Sequence, residues 1–125
     1  MILAIKKEIF LRKDELESKT LSSLYFGGGT PSILSVDEIK SLIDEVLKYF
    51  DFEKNIEITL EANPDDLDKN LLKNLAQTEV NRLSIGTQSF FEEDLKLMNR
   101  AHNVSEAESS LKRAQDFGFE NLSID

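Results

Sequence analysis

The sequence predicts an α/β protein of parallel βα units, with about four strands and five helices. Two observations carry this reading. Helical apolar spacing alternates with short apolar runs along all 125 residues, and each pair of consecutive runs is separated by enough chain for a helix. Strands separated by helices pair in parallel through right-handed crossovers. The order is α-β-α-β-α-β-α-α-β.

Residues 2–18 read as a helix, with Ile2, Ile5, Ile9 and Leu16 on one side and charges between them. Leu24-Tyr25-Phe26 is a short apolar strand that stops at Gly27-Gly28-Gly29-Thr30-Pro31. Ser35 and Glu38 make a capping box. It opens a helix whose apolar residues Ile39, Leu42, Ile43, Val46, Leu47 and Phe50 have the best helical spacing in the chain. Residues 56–62 read as a strand, ended by Asn63-Pro64, and Leu67, Leu71, Leu72 and Leu75 mark the next helix. Residues 82–86 are a third strand. Ser89 to Glu92 is a second capping box, before a short helix with Leu95 and Met98. Ser105 to Glu108 is a third, before a helix with Ala107, Leu111 and Ala114 that Gly118 ends. Leu122 and Ile124 lie in the last strand.

Composition bounds the function. The length suits a single domain over residues 1–125. Hydrophobic residues make up 40%, enough for a packed core. With 24 acidic and 15 basic side chains the formal charge is −9, which argues against a nucleic-acid partner. The excess is spread over helix faces and reads as solvated surface. There is no cysteine, so this chain alone builds no disulfide, thiol nucleophile, thiolate-ligated zinc or iron–sulfur centre. A lone histidine, His102, excludes a His-rich metal site. No apolar run approaches the ~20 residues of a membrane helix. Met1-Ile2-Leu3 leads directly into Lys6-Lys7-Glu8 without a signal-peptide pattern, so the expected compartment is the cytoplasm.

Alternate strand residues face opposite sides. Ile56, Ile58 and Leu60 share one face of the second strand; Glu57, Thr59 and Glu61 share the other. In the third, Leu83 and Ile85 oppose Arg82, Ser84 and Gly86, with Gln88 continuing the polar phase. In the fourth, Leu122 and Ile124 oppose Asn121, Ser123 and Asp125. Parallel strands are ordinarily apolar on both faces, because helices cover both. Here helices cover one face only. The polar face ends in Glu61, Gln88 and Asp125 at the carboxyl ends of strands, where barrels and open parallel sheets bind ligands. Two architectures fit: a curved sheet with a wet concave side, or a two-layer sandwich with one solvated face. Curvature separates them.

Gly27-Gly28-Gly29-Thr30-Pro31 follows a strand and precedes a helix. Glycines let the backbone approach a ligand and take positive φ. The run is neither a phosphate-binding GxxxxGK[ST] loop nor GxGxxG. Alone it fits a binding loop or a plain turn; its place beside the other polar strand ends favours binding.

Leu24-Tyr25-Phe26-Gly27-Gly28-Gly29-Thr30-Pro31-Ser32 resembles a signature of the radical S-adenosylmethionine (SAM) enzymes related to oxygen-independent coproporphyrinogen III oxidase. Glu57 to Pro64, Asn81 to Phe90, Arg100-Ala101-His102 and Asn121 to Asp125 resemble that family's later motifs, in order and at similar spacing. Glu61-Ala62-Asn63-Pro64, Gln88-Ser89-Phe90 and Arg100-Ala101-His102 are closer to the HemW heme-chaperone branch than to the true oxidases, while Thr87 and Asn99 depart from that branch's pattern.

The resemblance implies part of a (β/α)6 TIM-like barrel. It implies that Gly28, Gly29 and Thr30 contact the methionine end of SAM, and that Glu61, Gln88, Arg100 and Asp125 also bind SAM. Their chemistry suits the ligand. Arg100 can fork onto a carboxylate, Glu61 and Asp125 can accept from ribose hydroxyls, and Gln88 can donate and accept.

In the family a 4Fe–4S cluster is held by a CxxxCxxC motif preceding the first helix seen here. This chain has no cysteine, so the cluster belongs to the parent protein only, and the sequence reads as an internal fragment of a radical SAM core. No catalytic residue and no metal ligand is assigned. The isolated chain is expected to be catalytically inactive, with tetrapyrrole or heme as the parent's small-molecule partner. Two other readings stay open: a fragment of a true coproporphyrinogen III dehydrogenase, and a cluster-free interaction module with no ligand. No membrane partner is expected. Unpaired sheet edges predict self-association.

Overall fold

A computed structural model describes residues 1–99 and 103–125. Four parallel strands form one sheet in the order β1-β2-β3-β4: β1 Thr20–Phe26, β2 Asp51–Ala62, β3 Arg82–Ile85 and β4 Asn121–Ile124. The helices are α1 Ile2–Arg12, α2 Val36–Leu47, α3 Lys69–Leu75, α4 Glu92–Leu97 and α5 Val104–Asp116. Among the described residues, the element order and the count of four strands and five α-helices match the sequence reading.

The core lies on the apolar parity of the sheet. Ile58 and Leu60 of β2 and Leu83 and Ile85 of β3 pack with Ile39 and Ile43 of α2, Leu72 and Leu75 of α3, and Ala114 of α5. All nine are inaccessible to water. The opposite parity is laddered across the sheet: Tyr25, Thr59, Arg82 and Asn121 share one row, and Glu61, Ser84 and Ser123 the next. Glu57 and Thr59 both accept from, or pair with, Arg82, at 3.9 and 3.3 Å. Satisfying one another this way is what lets Thr59 be buried on a polar face. At the amino ends of the strands, Asn81 Oδ1 accepts from the Ile58 amide at 2.8 Å, and Asn81 Nδ2 donates to the Ile56 carbonyl at 2.8 Å. That side chain continues the ladder where β3 has not yet begun.

Several boundaries differ from expectation. Helix α1 stops at Arg12 rather than 18 and buries no residue; Leu16 is exposed. Lys19 Nζ donates to the Lys13 carbonyl just past its last turn at 2.7 Å, and Arg12 is turned onto Glu8 and Glu15, so the chain reverses instead of continuing. Strand β1 starts four residues early, at Thr20, and β2 starts at Asp51, because their polar first residues pair with each other. Leu67 is buried but precedes α3, directly after a proline-initiated 3-10 turn over Pro64–Asp66, and its carbonyl accepts from Arg113 at 2.6 Å.

One expected capping box does not form and another moves. Ser89 does not cap α4, whose N-cap is Phe91; its hydroxyl instead accepts from the Phe91 amide and donates to Asp94. Before α5 the box is Asn103–Glu106, not Ser105–Glu108. Both spacings satisfy the pattern, and asparagine caps as well as serine while starting the helix two residues earlier. The Ser35–Glu38 box and the Gly118 stop, with φ +94°, form as read.

Candidate functional site

The carboxyl ends of the four strands meet around a polar cavity of about 190 Å³. Gly29 and Thr30 border it from the loop after β1, Glu61 and Asn63 from the end of β2, Ser84, Gly86 and Gln88 from β3 and beyond, and Asp125 from the end of β4. Parallel pairing brings these together, since every strand delivers its carboxyl end to the same rim.

The glycine loop is held open rather than filled. Gly28 and Gly29 sit at φ +82° and +69°, conformations that other residues reach only with strain. A Cβ on either would meet nothing within 4 Å, so the space beside them is open. Gly27 differs: a Cβ there would lie 2.6 Å from the Tyr25 ring and 3.1 Å from a Glu61 oxygen. Past the loop, Ser32 is buried; its hydroxyl donates to Asp66 at 2.6 Å and accepts from the Asn63 amide at 3.3 Å. This staples the loop to the end of β2.

Glu61 is the centre of the site. One carboxylate oxygen accepts from the Tyr25 hydroxyl at 2.7 Å, the other from the Gly28 amide at 3.0 Å. On the far wall Asp125 is tied by its backbone: its amide donates to the Ile85 carbonyl, and its carbonyl accepts from the Gln88 amide at 2.7 Å. Its carboxylate accepts from Ser84 at 3.2 Å. The bond to Asp125 holds Gln88 at φ +66°, a left-handed conformation costing on the order of 1–3 kcal/mol for a non-glycine residue. No basic side chain lines the cavity among the described residues, and two carboxylates do. Such a wall suits ligands that donate hydrogen bonds or carry positive charge.

Of the residues expected at the site, Gly29, Thr30, Glu61, Gln88 and Asp125 line the cavity, and Gly28 touches it through Glu61. Arg100 lies outside the described residues. Ser84 and Asn63 join the lining; Ser84 was readable from strand parity alone. Tyr25, which bonds Glu61 without lining this cavity, was not singled out because β1 was read too short for its parity to show. A separate, mainly apolar cavity of about 480 Å³ lies behind the glycine loop against α1 and α2.

Parallel βα units with a glycine loop and an acidic rim at the strand ends define an α/β core with a candidate site at its carboxyl rim. This chain belongs to the radical SAM superfamily, whose family model matches residues 4–125. It is 40% identical over 113 residues to the heme chaperone HemW of Haemophilus influenzae, covering 90% of this chain and 30% of that one. Against the oxygen-independent coproporphyrinogen III oxidase of Salmonella typhimurium it is 33% identical, over 98% of this chain and 27% of that one. The structure of coproporphyrinogen III oxidase (HemN) from Escherichia coli superposes with a TM-score of 0.83 at 32% identity, covering 98% of this chain and 28% of that one. The four parallel strands and five helices therefore match part of the radical SAM fold of that protein. The chain spans about a third or less of the length of these relatives.

Proposed function

We propose that this chain supplies a SAM-binding wall of a radical SAM protein in the HemW and coproporphyrinogen oxidase-like group. The observation that carries the reading is the meeting of an open glycine loop with Glu61, Gln88 and Asp125 around one cavity. At about 190 Å³ the cavity is smaller than the ~300–1,000 Å³ that encloses a drug-sized ligand, so it takes one part of SAM and leaves the rest outside. Glu61 and Asp125 accept from ribose hydroxyls or the ammonium group, Gln88 bridges polar groups, and Gly28 and Gly29 let the backbone lie against the amino-acid end. Arg100 serves the ligand carboxylate.

A 4Fe–4S cluster held elsewhere in the longer protein would supply the reducing electron for SAM chemistry. The residues present do not fit the cluster: the 125 residues include no cysteine, and no metal-holding group of three His, Cys, Asp or Glu occurs among the described residues. By itself this chain binds and orients SAM without cleaving it. A tetrapyrrole or heme is the proposed partner of the longer protein, with heme carriage favoured over propionate decarboxylation by the higher identity to HemW. No helix among the described residues is long and apolar enough to cross a membrane, and the cytoplasm is the proposed site of action.

Calorimetric titration with SAM tests the reading. Saturable binding is expected, tighter than for S-adenosylhomocysteine, which lacks the sulfonium charge, and weakened by Asp125→Asn and Gln88→Ala. Absence of saturable binding up to about 1 mM would overturn it and leave the ligand-free interaction module.

A further inference from the structure

We propose that Tyr25 is a positioning residue of this site: its hydroxyl fixes the Glu61 carboxylate, and its ring braces the glycine loop. The ligand named in the test rests on the SAM reading above; the geometry does not.

Tyr25 pairs with Thr59 in the sheet, whereas Glu61 stands two residues further along β2. With strands ~4.8 Å apart and a rise of ~3.3 Å per residue, such diagonal neighbours in a parallel pair lie ~8 Å apart, within reach of an aromatic side chain but beyond a short one. The phenol spans the gap and donates to one Glu61 oxygen at 2.7 Å, while the Gly28 amide holds the other at 3.0 Å. A carboxylate offers about four acceptor positions. One bond on each oxygen fixes its plane and leaves one position on each for a ligand. The same ring lies over Gly27, leaving 2.6 Å where a Cβ would stand, so the loop backbone is clamped between the ring and the carboxylate. Tyr25 remains 55% exposed, so packing does not account for the arrangement.

The phenol is suited to this task because it donates without adding charge. The bond to Glu61 and, second, partial burial raise its pKa above the ordinary 10.0. Glu61 and Asp125 are the carboxylates facing it, and both favour the protonated donor; the neighbouring Ser84 hydroxyl opposes them.

The test uses the chain's two tyrosines. In a Tyr49→Phe background, absorbance titration reads the Tyr25 phenol alone. Its midpoint is expected above 10.0 and should fall when Glu61→Gln is added. Titration with SAM is then run on the parent, Tyr25→Phe, Glu61→Gln and the double variant. Tyr25→Phe should weaken SAM binding by about tenfold, with the thermal midpoint unchanged, and should add nothing in the Glu61→Gln background. Parent-like affinity in Tyr25→Phe, or an equal loss in both backgrounds, would overturn the proposal. If the parent fails to bind SAM, the proposed function falls separately. The phenol midpoint then decides: a shift with Glu61→Gln supports the positioning role, and an unmoved midpoint removes it.

Discussion

At the scale of single residues, the glycine loop separates backbone freedom from side-chain space. Gly28 needs positive φ but has open room beside it, so Gly28→Ala should cost about 1 kcal/mol of stability through strain alone. Gly27 needs room rather than φ. Gly27→Ala should displace the Tyr25 ring and lower SAM affinity more than it lowers stability, a contrast that denaturant titration and calorimetry can resolve. Glu38 shows how a half-buried capping carboxylate couples to pH. The Ser35 amide and hydroxyl hold its carboxyl below the usual 4.5. A group depressed by folding stabilises above its unfolded value and loses that effect as pH falls through the folded one. The thermal midpoint should therefore drop as pH is lowered below 4.5, and Glu38→Gln should flatten part of that drop.

At the scale of elements, competing caps decide where helices begin. The segment before α5 offers two overlapping boxes, and the structure uses Asn103 and Glu106, with bonds of 2.9 and 2.7 Å. Asn103→Ala should cost about 1 kcal/mol by chemical denaturation, while Ser105→Ala should be nearly neutral. Equal costs would mean the helix starts later than Asn103. One factor beyond local spacing favours the earlier start: the Val104 amide donates to Glu92 of α4 at 3.0 Å. Helix α1 shows the converse. Its apolar spacing promised a buried stripe, but no residue of it is buried, because it covers only the margin of the sheet beside β1.

At the scale of the whole molecule, the outer edges of β1 and β4 pair with no other strand among the described residues. Open edges template further pairing. Concentration-dependent association is expected in light scattering, reduced by a charge on the β1 edge such as Ser22→Lys. A strict monomer at high concentration would contradict it. The same topology builds the site: parallel strands put Gly29, Glu61, Gln88 and Asp125 on one rim although they lie far apart in the chain.

The sequence by itself determined the parallel α/β order, the polar and apolar faces of β2 and β3, and most of the rim residues. Those depend on local periodicity, on a two-residue alternation and on motifs a few residues long. Only the tertiary structure decided that Tyr25 reaches Glu61, that Leu67 leaves its helix, and which of two equivalent caps is used. Each of those turns on a partner distant in sequence: Glu61 for Tyr25, Arg113 for the Leu67 carbonyl, Glu92 for the start of α5. Spacing within a segment carries no record of such partners, because the free energy that selects them arises only when the strands and helices pack.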